Sequence, residues 1–208
     1  MDLAGSINGA LRRVPAWPLY VVGVMPVVWV FWAGITGRLG VEPVEAIEHR
    51  LGLWGLWLLI AGLCVTPIRR FTGVSLIRFR RAIGVTAFFY ILAHMLVWLV
   101  LDVQLLAQVW ADILKRPYIT VGMAGFLLMI PLALTSNNWS VRRLGPQAWQ
   151  RLHRLTYGVA LLGGLHFVML RKGFQLEPLL YLGAVIALLA LRLPSLFKKA
   201  RRQRQAVT

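Results

Sequence analysis

Six long apolar runs constrain this chain more than any other feature of its sequence. Helices of roughly 17 to 25 apolar residues can cross a hydrocarbon core of about 30 Å. Hydrophobic residues make up 59% of the 208 residues and the mean hydropathy is +0.70, values too apolar for an ordinary soluble domain. The sequence therefore predicts an all-α integral membrane protein with one domain, residues 1–208. The expected transmembrane helices are 17–35, 51–68, 82–101, 118–135, 152–170 and a shorter one at 179–193.

The distribution of basic residues predicts the orientation of these helices. The net charge is +16, and in a six-helix threading the arginine-rich segments all fall on one side. They are 12–13, 69–81, 142–151 and the basic tail, 194–208. Because cytoplasmic loops carry excess Lys and Arg, both termini are expected in the cytoplasm. The positive charge is thus a signal for topology and for anionic lipid rather than for nucleic acid.

Three of the four histidines lie in or beside these apolar runs, namely His94, His153 and His166. An ionisable side chain in an apolar segment is costly unless it faces a bundle interior and finds a partner, so it indicates a functional site. Neutral imidazole is a common metal ligand, including for the iron of b-type haem. His49 lies in an acidic connection and is assigned no role. The single cysteine, Cys64, excludes an intramolecular disulfide and CxxC metal sites.

The depths of His94 and His166 favour one shared site. Counted from the cytoplasmic ends of their runs, His94 lies about 18 Å deep and His166 about 21 Å deep. Two imidazoles at one level can bind a porphyrin iron from opposite faces in a bundle core. Gly84, Ala87 and Gly163 would leave clearance for a flat macrocycle. The alternatives are two histidines joined by hydrogen bonds in the interior, or a proton relay in a transporter.

His153 is expected near the cytoplasmic boundary, about 20 Å from His166 along the helix axis. On one ideal helix the two side chains would point roughly 140° apart. His153 lies between Arg151 and Arg154, so the alternative is a solvated residue at the membrane interface.

The order and spacing of several stretches identify a resemblance to a known family. The chain resembles the MsrQ (YedZ) family of haem-binding membrane subunits, which serve bacterial MsrPQ methionine sulfoxide reductase systems. The resemblance covers nearly all of the chain, and the stretches that carry it include GRLGVEPVEAIEHRLG, TPIRR, LIRFRRAIG, AHMLVWL, KRPYITVGMAGFLLMIPLALTS and RRLGPQAWQRLHRLTYGVALLGGLHF.

The resemblance implies a six-helix, ferric-reductase-like core in the bacterial inner membrane, with one or two b-type haems. It implies electron flow from a membrane quinol or a cytoplasmic flavin reductase to MsrP, a periplasmic molybdopterin-containing reductase of methionine sulfoxide in proteins. It also implies bound FMN, although no motif here locates it. His94 and His166 match the family's bis-histidine site, and His153 matches an additional haem histidine on the cytoplasmic side.

The pattern departs from related oxidases, which carry two histidines on the third helix. The residues 13 and 14 positions before His94 are Arg81 and Arg80. A guanidinium stays protonated and offers no lone pair to iron. These arginines are instead expected to pair with haem propionates or a flavin phosphate, because their forks match such anions. The alternative is that they only set the topology.

The sequence therefore predicts an electron-transfer subunit rather than the catalytic subunit. Electrons would arrive near His153, reach the haem of His94 and His166, and leave toward a partner docked on the connections 36–50, 102–117 and 171–177. Three alternatives remain: another ferric or quinone reductase, a proton-coupled transporter with a histidine relay, and a cofactor-free membrane anchor.

Overall fold

The chain folds into α-helices joined by short connections. The structure, a computed structural model, describes residues 3–171 and 175–192, and within them there are nine α-helices and no strands. The helices are α1 (Leu3–Arg13), α2 (Pro18–Ile35), α3 (Pro43–Thr72), α4 (Arg80–Val97), α5 (Leu106–Lys115), α6 (Pro117–Leu134), α7 (Asn138–Leu152), α8 (Leu155–Leu170) and α9 (Leu176–Ala190). A 3₁₀ turn, Ile77–Phe79, precedes α4, and a π-helical turn, Trp98–Val103, follows it.

Within residues 3–171 and 175–192, four helical segments are long and apolar enough to cross a membrane, which makes this a multi-pass membrane protein. They are Pro18–Ile35, Pro43–Thr72, Ile77–Val103 and Pro117–Leu134. The fifth and sixth predicted spans correspond to α8 and α9, which are apolar but shorter. That all six cross the bilayer stays a prediction, and the basic tail at 194–208 lies outside the described residues.

The second membrane helix begins eight residues earlier than hydropathy predicts, at Pro43 rather than at residue 51. Proline fits the first turn of a helix, where its missing N–H costs nothing. The charged residues Glu45, Glu48 and Arg50 therefore occupy helical positions rather than a connection. A hydropathy search ends the apolar run at the first charged residues, whereas the helix continues through them because its backbone hydrogen bonds form regardless of side-chain charge.

Helices α1, α5 and α7 lie in segments that the sequence analysis treated as connections. A search for apolar runs misses such helices because their apolar residues alternate with polar ones. Asn137 caps the start of α7, because its Oδ1 accepts a hydrogen bond from Ser140 N at 2.8 Å. The helix kinks at Gly145, where φ is +76°. The predicted partner-docking connection at 102–117 thus contains a helix, α5.

The core forms where α3 packs on α4 and α6 packs on α8. One buried cluster joins α2, α3 and α4 around Val30, Leu51 and Tyr90. A second spans α3, α4, α6 and α8 around Leu59 and Val159. These four helices therefore surround the interior in which the candidate site lies.

The two ends of the bundle differ in charge. At the basic end, α1 reaches the segment before α4: Asn8 Nδ2 donates to Gly73 O at 3.0 Å, and Arg78 Nη1 donates to Leu11 O at 2.8 Å. The opposite end is called the acidic end here. It holds every Asp and Glu of the described residues: Glu42, Glu45, Glu48, Asp102, Asp112 and Glu177.

We expect Gly55→Val to destabilise the contact between α3 and α4. A Cβ at Gly55 would collide with Ile91 Cδ1 and lie 3.0 Å from Ile91 Cγ1, and overpacking of this kind costs about 1 to 3 kcal/mol. Gly84→Val is the matched control, because a Cβ at this α4 position meets nothing within 4 Å. Thermal unfolding in detergent should show a lower midpoint for Gly55→Val only. Equal midpoints would contradict the packing described here.

Candidate haem site

His94 of α4 and His166 of α8 face each other in the bundle interior. Their ring centroids are 6.2 Å apart and the ring planes are inclined at 78°. The two depths counted along the sequence thus correspond to one place in the fold. With metal–nitrogen bonds of about 2 Å on each side, two imidazoles sharing one metal would have centroids roughly 6 Å apart. The separation in the structure therefore fits one iron held between the two rings.

Both histidines are oriented by backbone carbonyl groups. His94 Nδ1 lies 2.9 Å from Glu48 O, and His166 Nδ1 lies 2.7 Å from Tyr118 O. A carbonyl oxygen only accepts, so each Nδ1 carries the proton and donates it. The lone pair of each neutral ring is then on Nε2. Metal-binding histidines commonly donate their second nitrogen in this way, which fixes the tautomer and makes the ligand more basic.

Two glycines that the sequence analysis did not single out allow these hydrogen bonds. Gly52 follows Glu48 by four residues, and Gly122 follows Tyr118 by four. A Cβ would lie 3.1 Å from His94 Nδ1 at Gly52 and 2.8 Å from His166 Nδ1 at Gly122. A side chain at either position would thus push the imidazole away from its carbonyl. No sequence pattern marked them, since their role depends on a neighbouring helix.

Two of the three small residues that the sequence analysis favoured for haem clearance, Gly84 and Ala87, lie away from the histidine cavity. A Cβ at Gly84 would meet nothing within 4 Å. Ala87 is buried in the core cluster with Leu59 and Met129. Only Gly163 lines the same cavity as the histidines. Helical spacing alone therefore did not tell which face of α4 meets the site.

The two histidines line a cavity of about 500 Å³ between α3, α4, α6 and α8. This volume is within the range of about 300 to 1,000 Å³ that is typical of cofactor sites. The deeper walls are apolar, and the mouth at the acidic end is charged. The apolar lining includes Leu56, Leu59, Ile91, Phe126, Met129 and Val159.

The number of protein ligands suits a metal that brings its own macrocycle. No group of three or more His, Cys, Asp or Glu side chains within residues 3–171 and 175–192 could hold a metal ion. A bare metal at His94 and His166 would thus lack ligands, whereas haem supplies four nitrogens and needs only axial ligands. The residues present therefore fit b-type haem.

His153 lies outside this cavity and outside the helix of His166. The predicted span 152–170 is shorter in the structure, because α8 begins at Leu155 and His153 caps the end of α7. The expected angle between His153 and His166 on one helix therefore does not apply. The His153 ring stacks on Trp149 at 3.8 Å between centroids.

The hydrogen bonding of His153 differs from that of the paired histidines. Its Nε2 lies 3.0 Å from Thr135 Oγ1, and this hydroxyl lies 2.6 Å from Pro131 O. Because the hydroxyl donates its one proton to the carbonyl, its oxygen accepts from His153 Nε2. Nδ1 is then the nitrogen with the lone pair, the reverse of His94 and His166.

Arg80 and Arg81 lie near His153 rather than at the cavity. They are the charged groups that act most strongly on its imidazole. Arg81 Nη1 donates to Asn138 Oδ1 at 2.7 Å. Arg80 lies beside the Tyr157 hydroxyl and Arg192. The structure thus separates the five predicted site residues into a pair in the cavity and a group of three at the basic end.

Comparison with known proteins agrees with this arrangement. The family model described as a ferric reductase like transmembrane component matches residues 51–164, more than half of the chain. A protein of Agrobacterium fabrum (strain C58) is 51% identical over 198 residues, which cover 93% of this chain and 92% of that protein. It is named protein-methionine-sulfoxide reductase heme-binding subunit MsrQ. The chain belongs to the MsrQ family.

Further MsrQ relatives show the same extent of similarity. The protein from Brucella anthropi is 51% identical over 179 residues, 85% of this chain and 80% of its own length. The Brucella ovis protein is 48% identical over 188 residues, 89% of this chain and 84% of its own length. No solved structure matches the chain. Membership of MsrQ supports a haem-based electron-transfer role in the membrane for this protein.

We expect Gly122→Ala to weaken haem binding, because the new Cβ would displace the His166 ring from Tyr118 O. The haem retained per chain after purification should fall, and the low-spin electron paramagnetic resonance signal of the remainder should change. Gly183→Ala in α9 is the control, since a Cβ there meets nothing within 4 Å. A Gly122→Ala protein with the wild-type haem content and spectrum would show that the glycine does not position His166.

Proposed function

We propose that this protein is a transmembrane b-type cytochrome that passes electrons to a periplasmic, MsrP-like, molybdopterin-containing reductase of methionine sulfoxide in proteins. One observation carries the proposal: two histidines with opposed rings, each held through Nδ1 by a carbonyl, beside a cavity of cofactor size. Each ring then has its lone pair on Nε2, the nitrogen that would ligate a metal. The names of the relatives, which describe a heme-binding subunit of a reductase, support it.

The proposed topology has six transmembrane helices in the bacterial inner membrane, with both termini in the cytoplasm. Its support is the separation of charge between the two ends. The basic end carries Arg69, Arg70, Arg78, Arg80 and Arg81 and no described Asp or Glu, whereas at the acidic end the six described Asp and Glu residues are nearly balanced by Arg38, Arg50, Lys115, Arg116 and Arg171. By the positive-inside rule the basic end faces the cytoplasm, and the haem cavity then opens toward the periplasm.

The chain's own residues would provide ligation, orientation and insulation. When bound, haem b supplies an iron that changes between two oxidation states. His94 and His166 hold it through Nε2, while Glu48 O and Tyr118 O keep both rings in one tautomer. The apolar side chains of the inner wall exclude water, and burial together with hydrogen bonds to the ligands sets the potential.

Electrons would reach this haem from the basic end, where a membrane quinol or a cytoplasmic flavin reductase acts as donor. Arg80 and Arg81 lie beside His153 there and would bind an anionic group, either a haem propionate or the phosphate of FMN. If His153 ligates a second haem, it does so through Nδ1, or through Nε2 after the hydrogen bond to Thr135 breaks. Only the first alternative keeps the contacts seen in the structure.

The proposed partner surface is the acidic end. It comprises the connections predicted for docking, of which residues 172–174 lie outside the described residues. The sulfoxide substrate need not touch this chain, because the cavity would transfer electrons and the partner would carry out the reduction. The protein is then an electron-transfer subunit rather than the catalytic subunit.

His94→Ala and His166→Ala should each remove most of the haem bound near the acidic end. Each substitution leaves the iron with one protein ligand, so the reduced-minus-oxidised difference spectrum in the α-band should fall strongly, and pyridine haemochrome should show less haem per chain. Colourless wild-type protein, expressed with ample haem, would contradict the function and would favour a histidine proton relay.

His153→Ala should leave the haem of His94 and His166 in place but slow its reduction by the donor. The measurement is stopped-flow reduction of the haem by a quinol or by a reduced flavin reductase, with dithionite reduction as the control for haem access. If haem content, redox titration and donor reduction all match the wild type, then His153 has no part in electron input.

A further inference from the structure

Two arginines at the mouth of the haem cavity have buried nitrogen atoms without hydrogen-bond partners among the described residues. They are Arg50, through Nη1, and Arg171, through Nε. Both residues line the cavity that contains His94 and His166. A buried donor that lacks a partner costs free energy, and more so on a charged group. No hydrogen bond within the described residues uses either guanidinium group, so both line the cavity with N–H donors suited to an acceptor that occupies it.

Nearby side chains do not satisfy these atoms. The Arg50 guanidinium lies over Trp29 at 5.5 Å, and that of Arg171 lies over Phe167 at 5.9 Å. The described residues form two ion pairs within 4 Å, His49 with Glu45 and Arg116 with Asp112, and neither includes these arginines. The other charged residues lining the cavity are Glu42, Glu45, Glu48, His49, Asp102, Arg116 and Glu177.

The acidic residues at the mouth do not replace a bound anion. Glu42, Glu45, Asp102 and Glu177 are exposed and Glu48 is half-buried, so most of these carboxylates are hydrated. The buried atoms of Arg50 and Arg171 lie where water does not reach. Electrostatic attraction is stronger for such shielded groups than for exposed pairs.

The positions of the arginines match those of the two histidines. Arg50 follows Glu48, whose carbonyl holds His94, by two residues on α3. Arg171 comes directly after α8 and five residues after His166, a rise of about 7.5 Å toward the acidic end. One arginine thus lies on each side of the cavity. Arg171 is on the side of the histidines that faces the acidic end, whereas the backbone of Arg50 is at about the level of His94, on a helix whose side chains lean toward its N-terminus at the acidic end.

We propose that Arg50 and Arg171 bind the two propionate carboxylates of haem b, so that the propionate edge faces the acidic end. The inference rests on the proposed function, since it requires haem between His94 and His166. Haem b carries two carboxylates on one edge, and a guanidinium fork donates to a carboxylate through two parallel N–H bonds. Arg80 and Arg81, which the sequence favoured for this role, do not line the cavity.

The first test measures how fast purified holoprotein loses haem to excess apomyoglobin. Arg50→Gln and Arg171→Gln should each lose haem at least tenfold faster than the wild type, a change that corresponds to about 1.4 kcal/mol. Arg38→Gln is the matched control: it removes the same charge at the same end, but its guanidinium lies over Trp32 at 4.2 Å and does not line the cavity. It should lose haem at the wild-type rate.

The second test separates carboxylate binding from general destabilisation. Full-length protein is expressed without haem in membranes and then supplied with haem b or with its dimethyl ester, which lacks the propionate charges. The wild type and Arg38→Gln should prefer haem b, whereas the double variant Arg50→Gln/Arg171→Gln should bind both forms equally. A preference for haem b that persists in the double variant but disappears in Arg80→Gln/Arg81→Gln would overturn the inference, because the propionate edge would then face the basic end. Failure of the wild type to bind either form would instead contradict the proposed function.

Discussion

The candidate site depends on two hydrogen bonds from histidine Nδ1 to helix carbonyls. Glu48 O and Tyr118 O belong to helical residues, and a carbonyl oxygen has a second lone pair that remains available after the helical bond. The second bond forms only if the imidazole lies close to the helix backbone, which requires glycine at residues 52 and 122. Without these bonds, two polar rings would lie in an apolar interior at considerable cost. The helices α3 and α6 therefore act on the site through their backbones.

This hydrogen bonding favours metal ligation over proton transfer. The protons of His94 and His166 are on Nδ1 and are committed to carbonyls that cannot pass them on. The two Nε2 atoms both carry lone pairs, so no proton lies between the rings. A relay needs a donor and an acceptor in sequence, whereas a bis-imidazole metal site needs two lone pairs on opposite sides. The tautomers of His94 and His166, with a lone pair on each Nε2 and ring centroids 6.2 Å apart, are those that the second requirement needs.

The sequence predicted those parts of the fold that depend on local properties. Apolar length located the membrane helices to within a few residues at most ends, and a constant rise per residue placed His94 and His166 at one level. The amphipathic helices were missed because they lack an apolar run. Gly52, Gly122, Arg50 and Arg171 were missed because their roles come from contacts between helices, which spacing along one helix does not reveal. His153 was placed in the wrong element because the break before Leu155 leaves no mark in hydropathy.

The charged residues at the acidic end differ in how deeply they are buried. Counted by sequence, the cavity mouth has more acidic than basic residues, which would predict a negative potential and exclude an anion. Exposure to water changes this balance. Four of the five acidic residues at the mouth are exposed, so their charges are hydrated and screened by salt, whereas Arg50 and Arg171 each have a nitrogen atom shielded from water. The half-buried charged residues that line the cavity are Glu48, Arg50 and Arg171, so arginines outnumber carboxylates among them. At the outer surface the four exposed acids lie among three exposed cations, Arg38, Lys115 and Arg116, so charges of both signs nearly balance there. The same end of the bundle thus combines a nearly neutral outer surface with a cavity lining in which arginines predominate among the half-buried charges.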